Sequence, residues 1–155
     1  MGDGDWSRRL GRPHGAERQT VSGSAGRGQD RKVRRVPIRA IRGAIQVDEN
    51  EREAILEGAT EMVRAVLERN HLAACDLISI VFTATPDLTA EFPAYAARQL
   101  GLTDVPLLCA TEIAVPGAMP RVLRLLAHAE TSLARSAVRH VYLRGAAALR
   151  TDLPH

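Results

Sequence analysis

Residues 77–83 read Leu-Ile-Ser-Ile-Val-Phe-Thr, and residues 84–88 continue as Ala-Thr-Pro-Asp-Leu. The first stretch is apolar and rich in β-branched side chains, which is typical of a strand buried in a sheet. The second stretch contains the Pro and Asp that favour a turn. Together they predict a buried strand that ends in a loop, and the rest of the domain is assigned outward from this strand.

On the C-terminal side, Pro93 suits the first position of a short helix that runs to about Leu100. Residues 106–112 predict a third strand, which is closed by Pro116-Gly117. A second long helix is expected next, because apolar residues recur there at helical spacing: Met119, Val122, Leu123, Leu126 and Ala129.

The last two elements are short. Residues 138–143 alternate as a fourth strand, and residues 146–149 predict a short fifth strand or hairpin partner.

On the N-terminal side, residues 36–43 alternate as a first strand. Asn50 and Glu53 have the spacing of a capping box. The helix expected over residues 51–69 has an amphipathic pattern, made by Ile55, Ala59, Met62, Val63, Val66 and Leu67. The order of elements predicts an α/β (α+β) domain with a central sheet and helices packed on it.

The basic charge is concentrated at one end of the chain. Residues 1–36 hold nine Arg or Lys and four Asp or Glu, together with seven of the twelve glycines, whereas residues 37–155 are slightly acidic. So polar a segment cannot bury enough apolar surface to offset the entropy of ordering it. We therefore predict a disordered tail over 1–36 and one folded domain over 37–155.

Three interpretations of the tail stay open. Its cluster Arg31, Lys32, Arg34 and Arg35 could contact phosphates, the tail could be a solvated extension, or the reading frame could start too far upstream. The domain itself predicts no nucleic-acid partner.

Several classes of site and protein are excluded by what the sequence lacks. No apolar run approaches the ~20 residues that span a bilayer. Cys75 and Cys109 are the only cysteines, and the five histidines show no metal-ligand spacing. No Walker loop or nucleophile elbow is present. The sequence therefore predicts no metal, no cofactor and no membrane partner.

Charged and polar residues also occur in elements whose other side chains are expected to face the core. Arg42 ends the first strand, Arg98 lies on the short helix, Arg124 lies beside an apolar ridge, Glu112 ends the third strand, and Tyr142 lies in the fourth. Each could be an ordinary surface residue. If the guanidinium groups converge, they would bind a small anion, because their planar fork grips carboxylates.

Four segments, in order, resemble the monofunctional chorismate mutases of the trimeric α/β class (AroH class). They are residues 39–44, residues 83–88 followed by Phe92-Pro93-Ala94, residues 109–112, and residues 139–143. The resemblance runs from about Ile38 to Leu153. It implies a pseudo-barrel homotrimer with active sites between subunits, in a cytoplasmic enzyme that rearranges chorismate to prephenate for phenylalanine and tyrosine synthesis. That reaction needs no nucleophile, proton relay, metal or cofactor.

The resemblance also implies roles for individual residues. Arg42 binds a substrate carboxylate, and Arg124 lies beside the ether oxygen, where a fixed cation stabilises the negative charge that grows as the C–O bond breaks. Glu112 and Cys109 contact the region of the ring hydroxyl, and Tyr142 hydrogen-bonds a carboxylate. The resemblance implies further binding residues, some of them weaker candidates and some from the adjacent subunit or the C-terminal segment. They are Phe92, Ala94, Arg98, Leu108, Thr111, Leu149 and Arg150.

One position departs from the family pattern, since Tyr95 stands where a lysine is expected. An entrance cation is therefore in doubt, whereas the core chemistry is not. The alternative function is a trimeric α/β module that binds a small carboxylate ligand without catalysis.

Overall fold

The computed structural model describes residues 36–149. The predicted tail, apart from Val36, and the site candidate Arg150 lie outside this range. The helices and strands are β1 (Ile38–Gln46), α1 (Arg52–Arg69), β2 (Leu77–Ala84), α2 (Pro93–Gln99), β3 (Leu107–Thr111), β4 (Val122–Glu130) and β5 (Val141–Leu143). Three short 3-10 helices cover Ala74–Asp76, Arg135–Ala137 and Arg144–Leu149.

The five strands form one mixed sheet in the order β3-β2-β4-β1-β5. Strand β4 lies at its centre and pairs antiparallel with β1 and β2, whereas β3 pairs parallel with β2 and β5 pairs parallel with β1. The prediction of an α/β domain with a central sheet and helices packed on it is confirmed.

Both helices pack on one face of the sheet. Their apolar residues form a single core with the inward side chains of the strands, such as Ile41, Phe82 and Leu123. Helix α1 approaches the sheet closely at Gly58, where an added Cβ would stand 2.5 Å from a methyl carbon of Val47. A glycine is therefore required here by space rather than by backbone conformation.

The other face of the sheet is covered by neither α1 nor α2; we call it the open face. Successive residues of a strand point to opposite faces. The open face is therefore built from alternate residues of the strands: Ile38, Ala40, Arg42, Ala44, Ser79, Val81, Thr83, Leu108, Ala110, Arg124, Leu126, His128 and Tyr142.

The prediction of a second long helix over 119–129 is wrong, because the segment from Val122 onwards is the strand β4. Leu123, Leu125 and Ala127 are buried with a period of two, as the core face of a strand requires. Leu126 is apolar but lies on the open face, and this extra apolar residue gave the segment its apparent helical spacing.

Three smaller expectations also change. Residues 144–149 form a 3-10 helix rather than a fifth strand, since a run of alanines has little preference for a sheet. Strand β1 continues past Gly43 to Gln46. The capping box is wrong: the residue before the helix is Glu51, and the Asn50 side chain instead accepts the backbone N–H groups of Thr89 and Ala90.

The turn after β2 is tied to the start of β4. The Thr85 hydroxyl accepts the Val122 N–H at 3.0 Å, and the Asp87 carboxylate accepts the Arg121 N–H at 2.9 Å. Partial burial acts to raise the pKa of Asp87, but hydrogen bonds from the Thr85 hydroxyl and the Arg121 N–H hold it below its usual value. Arg121, whose N–H makes one of these bonds, has a left-handed conformation (φ 53°) immediately before β4.

Candidate active site

The register of the sheet brings the predicted residues together on the open face. Arg124 on β4 lies between Thr83 on β2 and Ala44 on β1, and Ala44 is paired in turn with Tyr142 on β5. Arg42 lies two residues before Ala44 on β1 and therefore projects on the same side of the sheet. Paired residues of adjacent strands project on the same side of a sheet, so the register places these side chains together.

Glu112 directly follows β3 and is held beside Arg124. Its backbone N–H donates to the Ala84 carbonyl at 2.9 Å, which continues the pairing of β3 with β2. The Arg124 Nε donates to Glu112 Oε2 at 3.1 Å and lies 2.9 Å from Oε1, so the two side chains form an ion pair. The Thr83 hydroxyl donates to Oε1 at 2.6 Å. The carboxylate side chain is 18% exposed and that of Arg124 is 40% exposed, so the pair borders solvent on the ligand side.

A cavity of about 440 Å³ opens beside this pair. It is lined by Arg42, Gly43, Ala44, Val81, Thr83, Arg124, Leu125, Leu126, Tyr142 and Leu149. Two guanidinium groups and a phenol stand among small and branched apolar residues. Such a lining suits a small anion with an apolar body, because the cations grip the carboxylates and the apolar wall contacts the rest.

The remaining predicted residues lie towards the other edge of the sheet. A second cavity of about 410 Å³, between the start of α2 and β3, is lined in part by Phe92, Cys109 and Thr111. Arg98 is exposed on α2, and Leu108 lies on the open face. The side chain of Ala94, on α2, is buried in the core, so it does not line the second cavity.

The predicted residues thus fall into two groups within one chain. Arg42, Glu112, Arg124, Tyr142 and Leu149 meet at the first cavity or its border, whereas Phe92, Cys109 and Thr111 border the second. Sequence reasoning missed Thr83, Ala44 and Val81. Their signal was their strand parity, since they share a face with Arg42 and Arg124, but it was hidden while residues 119–129 were assigned to a helix.

A cation lies beside Tyr95, the residue that departs from the family pattern. The Arg52 guanidinium stands 5.6 Å from the centre of the Tyr95 ring, within cation–π range. Its Nε donates to Glu91 at 3.0 Å, and this hydrogen bond is the main reason that the pKa of Arg52 lies above its ordinary value.

Two further features are absent from the described part of the chain. Residues 36–149 contain no group of three or more His, Cys, Asp or Glu that could hold a metal ion. None of the helices in this range is long and apolar enough to cross a membrane. Cys75 and Cys109 are both free thiols.

Comparison with known proteins gives a consistent result. The sequence model of the family "Chorismate mutase type I" matches residues 38–153. The chain is 50% identical to "Chorismate mutase AroH" of Thermus thermophilus over 117 residues, 75% of this chain and 96% of the relative. It is 38% identical to "Chorismate mutase AroH" of Bacillus subtilis over 117 residues, covering 75% of this chain and 92% of the relative.

The solved structure of a chorismate mutase from Clostridium thermocellum superimposes with a TM-score of 0.70 at 41% identity, covering 70% of this chain and 97% of that one. The family match over residues 38–153 contains every strand of the described sheet and the residues that meet at the first cavity. The chain therefore belongs to the type I chorismate mutase family.

Proposed function

We propose that the chorismate mutase reaction of this chain, the rearrangement of chorismate to prephenate, takes place in the cavity lined by Arg42, Arg124 and Tyr142. The observation that carries the proposal is the convergence of two guanidinium groups and a phenol on one cavity, with Glu112 bonded to Arg124 at its border. Chorismate is a dicarboxylate, and this is the class of ligand that such a lining binds.

The mechanism we propose is electrostatic. Within the bound substrate, the ether C–O bond breaks as a new C–C bond forms, and negative charge develops on the ether oxygen. The Arg124 guanidinium is held in place by Glu112 before substrate arrives, so it stabilises this charge without having to reorganise. Because the charge is larger in the transition state than in the substrate, the interaction accelerates the reaction rather than only tightening binding.

The other side chains bind and orient. Arg42 and Tyr142 hold carboxylate oxygens, and the apolar wall of Val81 and Leu126 excludes water from the reacting carbons. We propose that Glu112 accepts a hydrogen bond from the ring hydroxyl, since its carboxylate has acceptor positions beyond those used by Thr83 and Arg124. Holding the substrate in a reactive shape lowers the entropic part of the barrier.

We further propose that copies of the chain assemble as a homotrimer. The open face exposes large apolar side chains, with Ile38 59%, Leu108 61% and Leu126 37% exposed, and a face of this kind favours burial against another protein. The two groups of predicted site residues lie towards different edges of the sheet. A head-to-tail ring would bring the Phe92 and Arg98 wall of one copy to the Arg124 cavity of the next.

We place the enzyme in the cytoplasm. Both thiols are unpaired, as in proteins of a reducing compartment.

The experiment that tests the function is direct. Purified protein is mixed with chorismate in buffer without added metal or cofactor, and loss of the chorismate ultraviolet absorbance is followed while prephenate is identified by mass or NMR. Prephenate formed well above the uncatalysed rate supports the proposal. Tight binding of chorismate without conversion would support the non-catalytic alternative instead.

A further inference from the structure

We infer that Thr83 is a positioning residue for this reaction: its hydroxyl fixes the Glu112 carboxylate so that Glu112 holds Arg124 through Nε alone and leaves both terminal amino groups of Arg124 for the substrate. The inference rests on the proposed function of the cavity. It assigns a role to a residue on β2 that the family resemblance did not single out.

The Thr83 hydroxyl is the donor in its contact with Glu112. An ionised carboxylate can only accept hydrogen bonds, so the 2.6 Å contact between the Thr83 hydroxyl and Glu112 Oε1 has Thr83 as donor. This length is that of a charge-assisted O–H···O⁻ bond, which is stronger than a bond between neutral groups. Thr83 is half-buried and has Arg124 as its cross-strand partner, so the hydroxyl is anchored on the strand next to the cation.

Arg124 is hydrogen-bonded to Glu112 through Nε and not as a fork. Arginine and a carboxylate commonly pair as a fork, with two parallel N–H···O bonds. Here Nε donates to Glu112 Oε2 at 3.1 Å and lies 2.9 Å from Oε1. Within residues 36–149, the two terminal amino groups of Arg124 make no hydrogen bond, and Arg124 lines the cavity. They are therefore available to a ligand oxygen.

The hydrogen bond from Thr83 restrains the Glu112 carboxylate. Glu112 lies just beyond the end of β3, and its long side chain can rotate about three bonds. Without the Thr83 hydroxyl, the carboxylate is free to turn towards the terminal amino groups of Arg124 and form the ordinary fork. Those nitrogens would then be hydrogen-bonded to the protein and lost to the substrate. The guanidinium would also move away from the ether oxygen, and the carboxylate would neutralise part of its charge.

The test compares Thr83→Val, which keeps the shape but removes the hydroxyl, with Thr83→Ser, which keeps the hydroxyl. We expect Thr83→Val to lower kcat about tenfold with a much smaller change in KM, because the affected interaction is strongest in the transition state. We expect Thr83→Ser to restore kcat to within about twofold of the wild type. The Ser79→Ala variant is the matched control, since Ser79 lies on the same face of β2 and hydrogen-bonds His128 instead; its kcat should be unchanged.

A second readout is independent of turnover. The ¹H–¹⁵N resonance of the Arg124 Nε–H should shift in Thr83→Val and coincide with the wild type in Thr83→Ser. If Thr83→Val does not fold, Thr83→Ala is measured in its place. A wild-type kcat with an unshifted resonance in the hydroxyl-free variant would overturn the inference, as would a Thr83→Ser enzyme as slow as Thr83→Val. If the wild type itself does not convert chorismate, the proposed function fails, and the Nε resonance still decides the role of Thr83 in the ion pair.

Discussion

At the scale of single residues, the strongest expectation concerns Arg124. Its guanidinium is fixed by Glu112 at Nε and lines the cavity beside Tyr142 and Arg42. Preorganised charge of this kind supplies the largest single contribution to many enzymatic accelerations. Among the two arginines and the tyrosine at the cavity, Arg124 should therefore dominate kcat, and Arg42 and Tyr142 should dominate substrate binding.

Replacement of Arg124 by Ala should lower kcat/KM for chorismate by about 10²- to 10³-fold, equivalent to about 3–4 kcal/mol of transition-state stabilisation. Steady-state kinetics checks this, with Arg64→Ala as the control, because Arg64 is an exposed arginine on α1. Turnover close to that of the wild type in Arg124→Ala would contradict the assigned role.

Asp87 gives a residue-scale prediction about pH and stability. Its pKa in the folded chain lies below the ordinary value of 3.8, so it contributes stability that is fully present above that value and is lost as the pH falls through the folded pKa. Urea unfolding should show Asp87→Asn to be less stable than the wild type at pH 6, with the difference narrowing below about pH 4. A difference that stays constant from pH 6 to pH 3 would contradict this account.

Sequence and structure agree unevenly at this scale. The convergence of Arg42, Arg124 and Tyr142 was predicted only through the family resemblance, because periodicity places each side chain on a face but does not give the register between strands. Thr83 was not predicted at all. Its role depends on a cross-strand pair and on a residue 29 positions away, Glu112, and spacing along the chain does not reveal such contacts.

At the scale of elements, the helices and most strands could be predicted from the sequence, whereas β4 could not. A strand on the sheet's edge or with one solvated face shows clear alternation, but a central strand whose outer face is also partly apolar does not. Leu126 on the open face broke the alternation of Leu123, Leu125 and Ala127. The same apolar outer face that obscured the strand is the face we propose to be buried between copies.

The close approach of α1 to β1 makes Gly58 sensitive to size. Gly58→Leu should lower the free energy of unfolding by about 1–3 kcal/mol, because the added side chain must displace the buried Val47. Denaturant unfolding measures the change, and Glu57→Leu, at an exposed position one residue earlier, serves as the control. A Gly58→Leu protein as stable as the control would show that the packing can relax at little cost.

At the scale of the whole molecule, the exposed open face and the separation of the site residues into two groups make the proposed homotrimer testable. The wild type should sediment as a species of three times the 16.8 kDa chain. Ile38→Glu places a charge on the open face away from the Arg124 cavity, and it should dissociate the assembly and lower activity together, because burying an unpaired charge is costly. Val115→Glu, at an exposed apolar residue outside the sheet, should do neither. A fully active wild-type monomer would contradict the trimer.

The predicted tail gives a second expectation at this scale. Deletion of residues 1–35 should leave kcat and KM for chorismate unchanged, because the described site draws only on residues beyond this segment. Steady-state kinetics on the truncated protein, with circular dichroism to confirm folding, checks this. A folded truncation with reduced turnover would assign the segment a part in catalysis.

The central position of β4 has a consequence for how the enzyme loses activity. Hydrogen-bonded on both sides along most of its length, β4 cannot detach by fraying at an edge. Its amide protons should therefore exchange with solvent only through global unfolding. Since Arg124 is carried by this strand, partial opening at the chain ends or at β5 should leave the charge opposite the breaking bond in place, and thermal inactivation should follow the cooperative melting of the whole sheet.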